Sequence, residues 1–166
     1  FNGVNVPKEN ILGNIGETQS CLDEVIARAT VLKCGEMLGG LDTVLKLTVE
    51  HVKTRHQFGK PLGALQAVQH HCADLATLLE TTRLITSQTA YLISEGLPCE
   101  KEIAMAKAWS SDAYKKGTWI AQQLHGGVGF TEEYDLHLFY KHAKASELSF
   151  QDAFFYRSRV ADQLGI

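Results

Sequence analysis

The stretch Leu38-Gly39-Gly40-Leu41-Asp42-Thr43-Val44-Leu45-Lys46-Leu47-Thr48-Val49-Glu50-His51-Val52 decides the fold class. Its apolar residues Leu38, Leu41, Leu45, Val49 and Val52 step by 3, 4, 4 and 3, the stripe an amphipathic helix turns toward a core. Followed outward, the pattern predicts one long helix from about Ser20 to Arg55. Thr18 or Ser20 is the expected N-cap, with Asp23 and Glu24 in the first turn set against the positive end of the helix dipole. Gly35, Gly39 and Gly40 interrupt this helix. Each costs on the order of 1 kcal/mol relative to Ala, so the three imply a close approach, either of a ligand or of a tightly packed neighbouring helix.

Two more long helices follow. From about Leu62, after Pro61, to about Glu95, the residues Leu65, Val68, Cys72, Leu75 and Leu79 recur at helical spacing, and Gly96 with Pro98 supplies the stop. From about Glu100 to Leu124, Ala106, Trp109, Ala113, Gly117, Ile120 and Leu124 share one face. Beyond Gly126-Gly127-Val128-Gly129 come two shorter helical stretches, about 132–145 and 149–163. Long helices joined by short connections describe an all-α protein, an antiparallel four-helix bundle. A short extended segment precedes it: Val4-Asn5-Val6 alternates like a strand, Pro7 to Asn10 reads as a turn, and Gly13 and Gly16 punctuate before the helices begin. A strand without a partner cannot satisfy its backbone ladder, so its sheet is expected outside this stretch of chain.

Composition agrees and excludes several classes. The 166 residues are 45% hydrophobic and 21% charged, with 14 Gly and only 3 Pro, enough for one domain with a sizeable core and unlike disordered or collagenous chains. Lys and Arg number 16 against 19 Asp and Glu, a net charge of −3 without the basic footprint of a nucleic-acid binder. There is no run of 18 apolar residues and no secretory signal pattern at Phe1-Asn2-Gly3-Val4, so neither a membrane span nor export is expected. Cys21, Cys34, Cys72 and Cys99 form no C-x-x-C pair, and three lie in apolar helical patterns. They read as reduced thiols of a cytoplasmic protein.

The chemistry-bearing candidates are few. Seven histidines are present, but none follows a Glu at the di-iron spacing and no H-x-x-x-H occurs, so no metal site is expected. His51, His70 and His71 read as surface residues or satisfied core residues. Gly126-Gly127-Val128-Gly129 lacks the Lys-Ser/Thr of a P-loop; it ends a helix, and its exposed N–H groups suit an anion. Arg55-His56-Gln57-Phe58-Gly59 follows the first helix. An Arg there serves the helix dipole, or its planar fork of donors meets a phosphate while Gln57 and Phe58 face a flat ring.

Three stretches, in this order, resemble the C-terminal part of the acyl-CoA dehydrogenase family, the flavoenzymes that desaturate acyl-CoA thioesters. They are Val6-Pro7-Lys8-Glu9-Asn10-Ile11-Leu12-Gly13, Arg55-His56-Gln57-Phe58-Gly59-Lys60-Pro61-Leu62 and Gln123-Leu124-His125-Gly126-Gly127-Val128-Gly129-Phe130. The resemblance implies that residues 1–13 are the last strand of a truncated middle β-domain and residues 14–166 the C-terminal helical bundle of a longer enzyme. It implies FAD as cofactor, with Arg55 on the pyrophosphate across a subunit interface, Gln57 and Phe58 lining the same cofactor, and Gln123, Gly126 and Gly127 approaching it from the partner subunit. An acyl-CoA substrate, an electron-transfer flavoprotein as acceptor, and a dimer or tetramer of like or unlike chains follow from the same resemblance.

Departures from the family pattern bear on the chemistry. The family's usual base is the Glu of a Tyr-Glu-Gly-Thr segment, and an ungapped count from Gln123 puts Phe150 there, within Ser149-Phe150-Gln151-Asp152. Phenylalanine cannot accept a proton. The alternative family position, on the first helix, falls on Ala29, between Arg28 and Thr30, and the Thr after the usual Glu is Asp152. Glu147, three residues before Phe150, remains a candidate for a displaced base if the helix runs that far; otherwise it reads as a surface residue or as one that supports the site from behind. The chain therefore reads as a FAD-binding and oligomerisation domain without the usual catalytic Glu. Two alternatives stay open: a non-catalytic subunit of a heteromeric acyl-CoA dehydrogenase, and a helical scaffold that has lost flavin.

Overall fold

The computed structural model describes residues 2–166; Phe1, the first residue of the expected strand, lies outside them. Five α-helices follow one another: α1 Thr18–Thr54, α2 Gln66–Ser94, α3 Glu100–His125, α4 Leu136–Leu148 and α5 Ala153–Leu164. Short 3-10 turns stand at Lys8–Asn10, Leu62–Ala64 and Gly126–Phe130, and a small antiparallel hairpin pairs β1 His56–Gln57 with β2 Lys60–Pro61. The chain is the expected helical bundle. Its centre is α3, which packs against the other four helices, while α1 also packs against α2 and α4.

Residues 2–16 form no strand, and Val4, Val6, Leu12 and Ile15 stand exposed. Nothing in the bundle offers that segment a ladder, so its backbone takes only a 3-10 turn at Lys8–Asn10. The start of α1 differs from expectation. Glu17 is the N-cap and makes no side-chain cap, Thr18 Oγ1 donates to the Leu12 carbonyl, and Ser20 Oγ donates to the Glu17 carbonyl. The second helix starts one turn later than its sequence pattern, because Pro61 leads first into the 3-10 turn Leu62–Ala64.

The buried line of α1 is Thr30, Val31, Cys34, Met37, Leu41, Val44, Thr48 and Val52, which is broader than the predicted stripe and includes two threonines. On α2, Thr82, Thr86 and Thr89 extend the line begun by Leu75, Leu78 and Leu79. Thr48, Thr82 and Thr89 enter the core with their hydroxyls bonded back to the helix, Thr48 Oγ1 to Val44 O at 2.7 Å, Thr82 Oγ1 to Leu78 O at 2.7 Å and Thr89 Oγ1 to Ile85 O at 2.8 Å, whereas the Thr86 hydroxyl is buried without a partner. Trp109, expected in the core, is 41% exposed. It lies with Met105 and Trp119 on the one strip of α3 that no other helix covers.

Of the three glycines in α1, Gly40 shows the close approach. A methyl there would overlap the Tyr114 hydroxyl of α3, whereas Gly35 and Gly39 face open space. The reading as tight helix packing holds at Gly40. His142 then ties α4 to this contact, with Nε2 2.5 Å from Glu36 Oε1 and Nδ1 3.2 Å from the Tyr114 hydroxyl. Cys34 and Cys99 are buried, Cys72 is half-buried and Cys21 is exposed, and all four are free thiols. Among the described residues no helix is long and apolar enough to cross a membrane.

Candidate functional site

The sequence candidates fall at two ends of the bundle, roughly 37 Å apart along α1 at the helical rise per residue, from Thr30 to Arg55.

At the first end α1 stops at Arg55, whose backbone turns to extended geometry while its N–H still donates to His51 O at 2.8 Å. The hairpin that follows turns at Phe58 and Gly59, with φ of 57° and 76°, the two left-handed residues of the tight turn that suits twisted strands. Glycine adopts this freely; phenylalanine rarely does. The consequence is that Phe58 is 84% exposed, with Arg55 and Gln57 exposed beside it. Sequence reading placed this segment between helices and missed the hairpin, although a Gly after a short polar stretch is a hairpin signal.

The end of α3 closes against it. Gly126 takes φ 62° and ψ −143°, a region nearly reserved for glycine, and redirects the chain into the turn Gly126–Phe130. Gly129 is buried where a methyl would overlap the side chain of Gln122. His125 is buried as well. A carbonyl only accepts, so the 2.8 Å contact from Nδ1 to Ala121 O puts the proton on Nδ1, and Nε2 accepts from the Tyr134 hydroxyl at 3.2 Å. The His51 ring stacks on it with centroids 4.2 Å apart. Burial pushes the His125 pKa down, against its bond to Ala121 O and with help from His51; burial and then Arg55 do the same to His51.

A cavity of about 440 Å³ opens here, lined by His51, Thr54, Arg55, His125, Gly127, Val128 and Tyr134. It joins Arg55 and Gly127, one residue from each of the two distant segments singled out in the sequence. Gln57, Phe58, Gln123 and Gly126 lie outside its wall and face solvent nearby. The donor set fits an anionic, partly aromatic group: one guanidinium for phosphate, stacked imidazoles, and a glycine where a backbone comes close. A cavity of this size takes one part of a dinucleotide. The carbonyl ends of α1 and α3 converge there and repel an anion, so Arg55 is the group that makes an anion tolerable.

At the second end α4 stops at Leu148, before Phe150, so Glu147 and Phe150 do not share a helical face as the sequence count assumed. Phe150 and Gln151 both take left-handed backbone, with φ of 56° and 78°, and Phe150 is 41% exposed. Asp152 caps α5, its Oδ1 accepting from Phe155 N at 2.9 Å. Glu147 is buried, and its two oxygens accept from Lys115 Nζ at 2.8 Å and Lys144 Nζ at 2.7 Å. Burial alone would raise its pKa, but the two ammonium groups outweigh it and hold the carboxyl below its ordinary value. Ala29 is half-buried, and the Tyr156 hydroxyl links its neighbour Thr30, at 3.2 Å, to the Phe150 carbonyl, at 2.8 Å, so the segments that carry the two base positions considered in the sequence are joined through one side chain.

Sequence reading missed Lys107. It is a charge on α3, yet it is fully buried. Its Nζ donates to Ser111 Oγ at 3.1 Å, Glu147 O at 3.0 Å and Gln151 O at 3.0 Å, and lies 5.7 Å above the Tyr156 ring. The available signal was its position: Lys107 stands beside Ala106 on the apolar face, with alanines on both sides.

Comparison with known proteins gives the family and the fold. Residues 31–149 match the family profile described as acyl-CoA dehydrogenase, C-terminal domain. The chain is 34% identical over 148 residues to acryloyl-CoA reductase (NADH) of Anaerotignum propionicum, covering 89% of this chain and 38% of that protein. It superposes on the structure described as PigA with FAD and proline with a TM-score of 0.95 at 26% identity, over 99% of this chain and 43% of the other. It also superposes on the ChsE4-ChsE5 complex from Mycobacterium tuberculosis with a TM-score of 0.81 at 28% identity, over 84% and 38%. The chain thus spans about two-fifths of the length of these relatives.

Proposed function

The chain belongs to the acyl-CoA dehydrogenase family, as its C-terminal domain, and from that premise we propose that it helps to hold FAD and to join subunits in a longer flavoprotein acting on an acyl-CoA thioester. The observation that carries this is the meeting of Arg55 and Gly127 in one cavity, beside a hairpin that holds Gln57 and Phe58 out in solvent. Arg55 would pair with the FAD diphosphate. Gln57 and Phe58, with Gln123, Gly126 and Gly127 behind them, would lie along the same molecule. FAD, when bound, supplies the acceptor for a hydride. The exposed Val4 and Val6 suit the reading of residues 1–13 as a strand offered to a sheet elsewhere in the longer protein.

The α4–α5 loop carries no free carboxylate. Phe150 stands where the resemblance puts the base, Ala29 occupies the other position, and Asp152 is engaged as a helix cap. Glu147 is held as an anion by two lysines, the opposite of the raised pKa that suits a base working near neutrality. A chain built this way supports a reaction whose base comes from another subunit, and one structural neighbour is itself a complex of two components. Electron-transfer flavoprotein is the proposed acceptor. The cavity also favours this reading over a scaffold that has lost flavin, since it keeps Arg55 beside the glycine turn.

The full-length protein tests the reading. A yellow preparation with flavin absorbance supports it, and a colourless one that cannot be reconstituted with FAD sinks it. Acyl-CoA-dependent bleaching of the flavin by this chain alone, abolished in Glu147→Gln, would overturn the assignment of the base to another subunit.

A further inference from the structure

A lysine without solvent exposure is unusual, because its ammonium must be compensated inside the protein. Lys107 is compensated by the ends of one loop. Two of its three acceptors are the carbonyls of Glu147 and Gln151, which bracket the α4–α5 turn, and the third is Ser111 one turn along α3. Between the bracketed carbonyls lie Phe150 and Gln151, consecutive residues in left-handed backbone. Each costs on the order of 1 kcal/mol or more for a side chain other than glycine, so the loop does not hold this shape by its own preference. The Tyr156 hydroxyl adds a bond to Phe150 O at 2.8 Å, and its ring lies under the ammonium.

We propose that Lys107 is a positioning residue: anchored in α3, it fixes the α4–α5 loop in its left-handed conformation and so sets where Phe150 is presented to the ligand bound at this end of the bundle. The part about the ligand rests on the proposed function; the part about the loop does not. Charge-assisted hydrogen bonding to two carbonyls across a turn works as a staple, because losing either one leaves a buried donor unsatisfied. The lysine draws the loop toward α3, Tyr156 holds its middle from α5, and Phe150 is left to project outward as a fixed apolar contact.

The test uses the full-length protein in four forms: the parent, Lys107→Met, Lys107→Met with Gln151→Gly, and Tyr156→Phe. Methionine keeps the length and removes the charge and the donors, and an apolar replacement of a buried charge is often tolerated in stability. Amide hydrogen exchange read by mass spectrometry should rise about tenfold over residues 149–153 in Lys107→Met, with α1 and α2 unchanged. Gln151→Gly relieves one left-handed residue and should return part of that protection, a rescue that general core damage would not show. Tyr156→Phe removes one hydroxyl and should give the same local pattern at smaller size, which keeps the test open if Lys107→Met does not fold. Unchanged exchange in the loop, or exchange rising evenly through α3 and α4, overturns the staple.

A second measurement addresses the ligand. Titration with butyryl-CoA, followed by the visible spectrum of the bound flavin, should show affinity reduced about tenfold in Lys107→Met and partly restored by Gln151→Gly. Equal affinity in all forms, with the loop demonstrably loosened, overturns the presentation of Phe150 to the ligand. A parent protein that binds neither flavin nor the thioester overturns the proposed function instead, and the exchange data then decide the staple alone.

Discussion

Where α4 turns into α5, the chain is tied to itself: Lys107, Tyr156 and Asp152 direct their polar atoms onto the loop between them, and Glu147 binds two lysines. Where α1 and α3 stop, the reverse holds. Arg55, Gln57 and Phe58 stand in solvent on a two-stranded hairpin, and two stacked histidines keep their rings on the wall of an open cavity. One end spends its polar groups inward on its own backbone, while the other leaves them available. A helical bundle can do both because a shared core, running from Cys34 and Met37 through Leu41, Leu75, Tyr114 and Leu136, fixes the helices independently of what either end does.

Four substitutions or conditions bear on that contrast, in order of expected size. Tyr156→Ala at the closed end removes a buried ring and two hydroxyl contacts, and should cost about 3–4 kcal/mol in urea denaturation; a loss below about 1 kcal/mol would break the contrast. Arg55→Ala at the open end should weaken FAD binding by about tenfold to a hundredfold and move the denaturation midpoint very little, as befits an exposed side chain. If stability fell instead and flavin affinity held, Arg55 would be structural.

Glu147→Gln should cost about 1 kcal/mol, a modest figure because Lys115 and Lys144 stand half in solvent and are screened. It should leave the flavin spectrum as it was. The pH dependence is the smallest effect. His51 and His125 have folded pKa values depressed by burial, so below the ordinary histidine value of about 6.5 the unfolded chain binds protons that the folded chain refuses. Their contribution to stability is therefore present above that value and lost as the pH falls through it. An anion in the cavity favours the protonated rings, so FAD affinity should rise over the same fall in pH. His125→Gln should flatten both slopes, and slopes unchanged in that variant would place the titrating groups elsewhere.

Much of the fold was legible because its signals are local. The 3- and 4-residue steps of Leu38 to Val52 gave α1, and Gly96-Leu97-Pro98 gave the end of α2 and the start of α3 within a residue or so. Thr82 and Thr89 of α2 were illegible by the same logic: they count as polar by type, and their hydroxyls are silenced only by bonding back to the helix. At the site, the Arg55 segment and the glycine turn stood out by residue type and spacing, but nothing along the chain shows that they share a wall. Lys107 was invisible for a sharper reason, since its partners are main-chain carbonyls of Glu147 and Gln151, which carry no side-chain signature.

The sequence by itself determined the helices, their order, the two motifs and the absence of a carboxylate at Phe150 and Ala29, because periodicity and residue identity are properties of the chain alone. Only the tertiary structure decided that Arg55 meets Gly127, that Glu147 is neutralised by Lys115 and Lys144, and that a buried lysine holds the loop of Phe150. Those outcomes depend on which groups are left in water and which are brought together when the helices pack, and burial sets the strength of every polar contact that results.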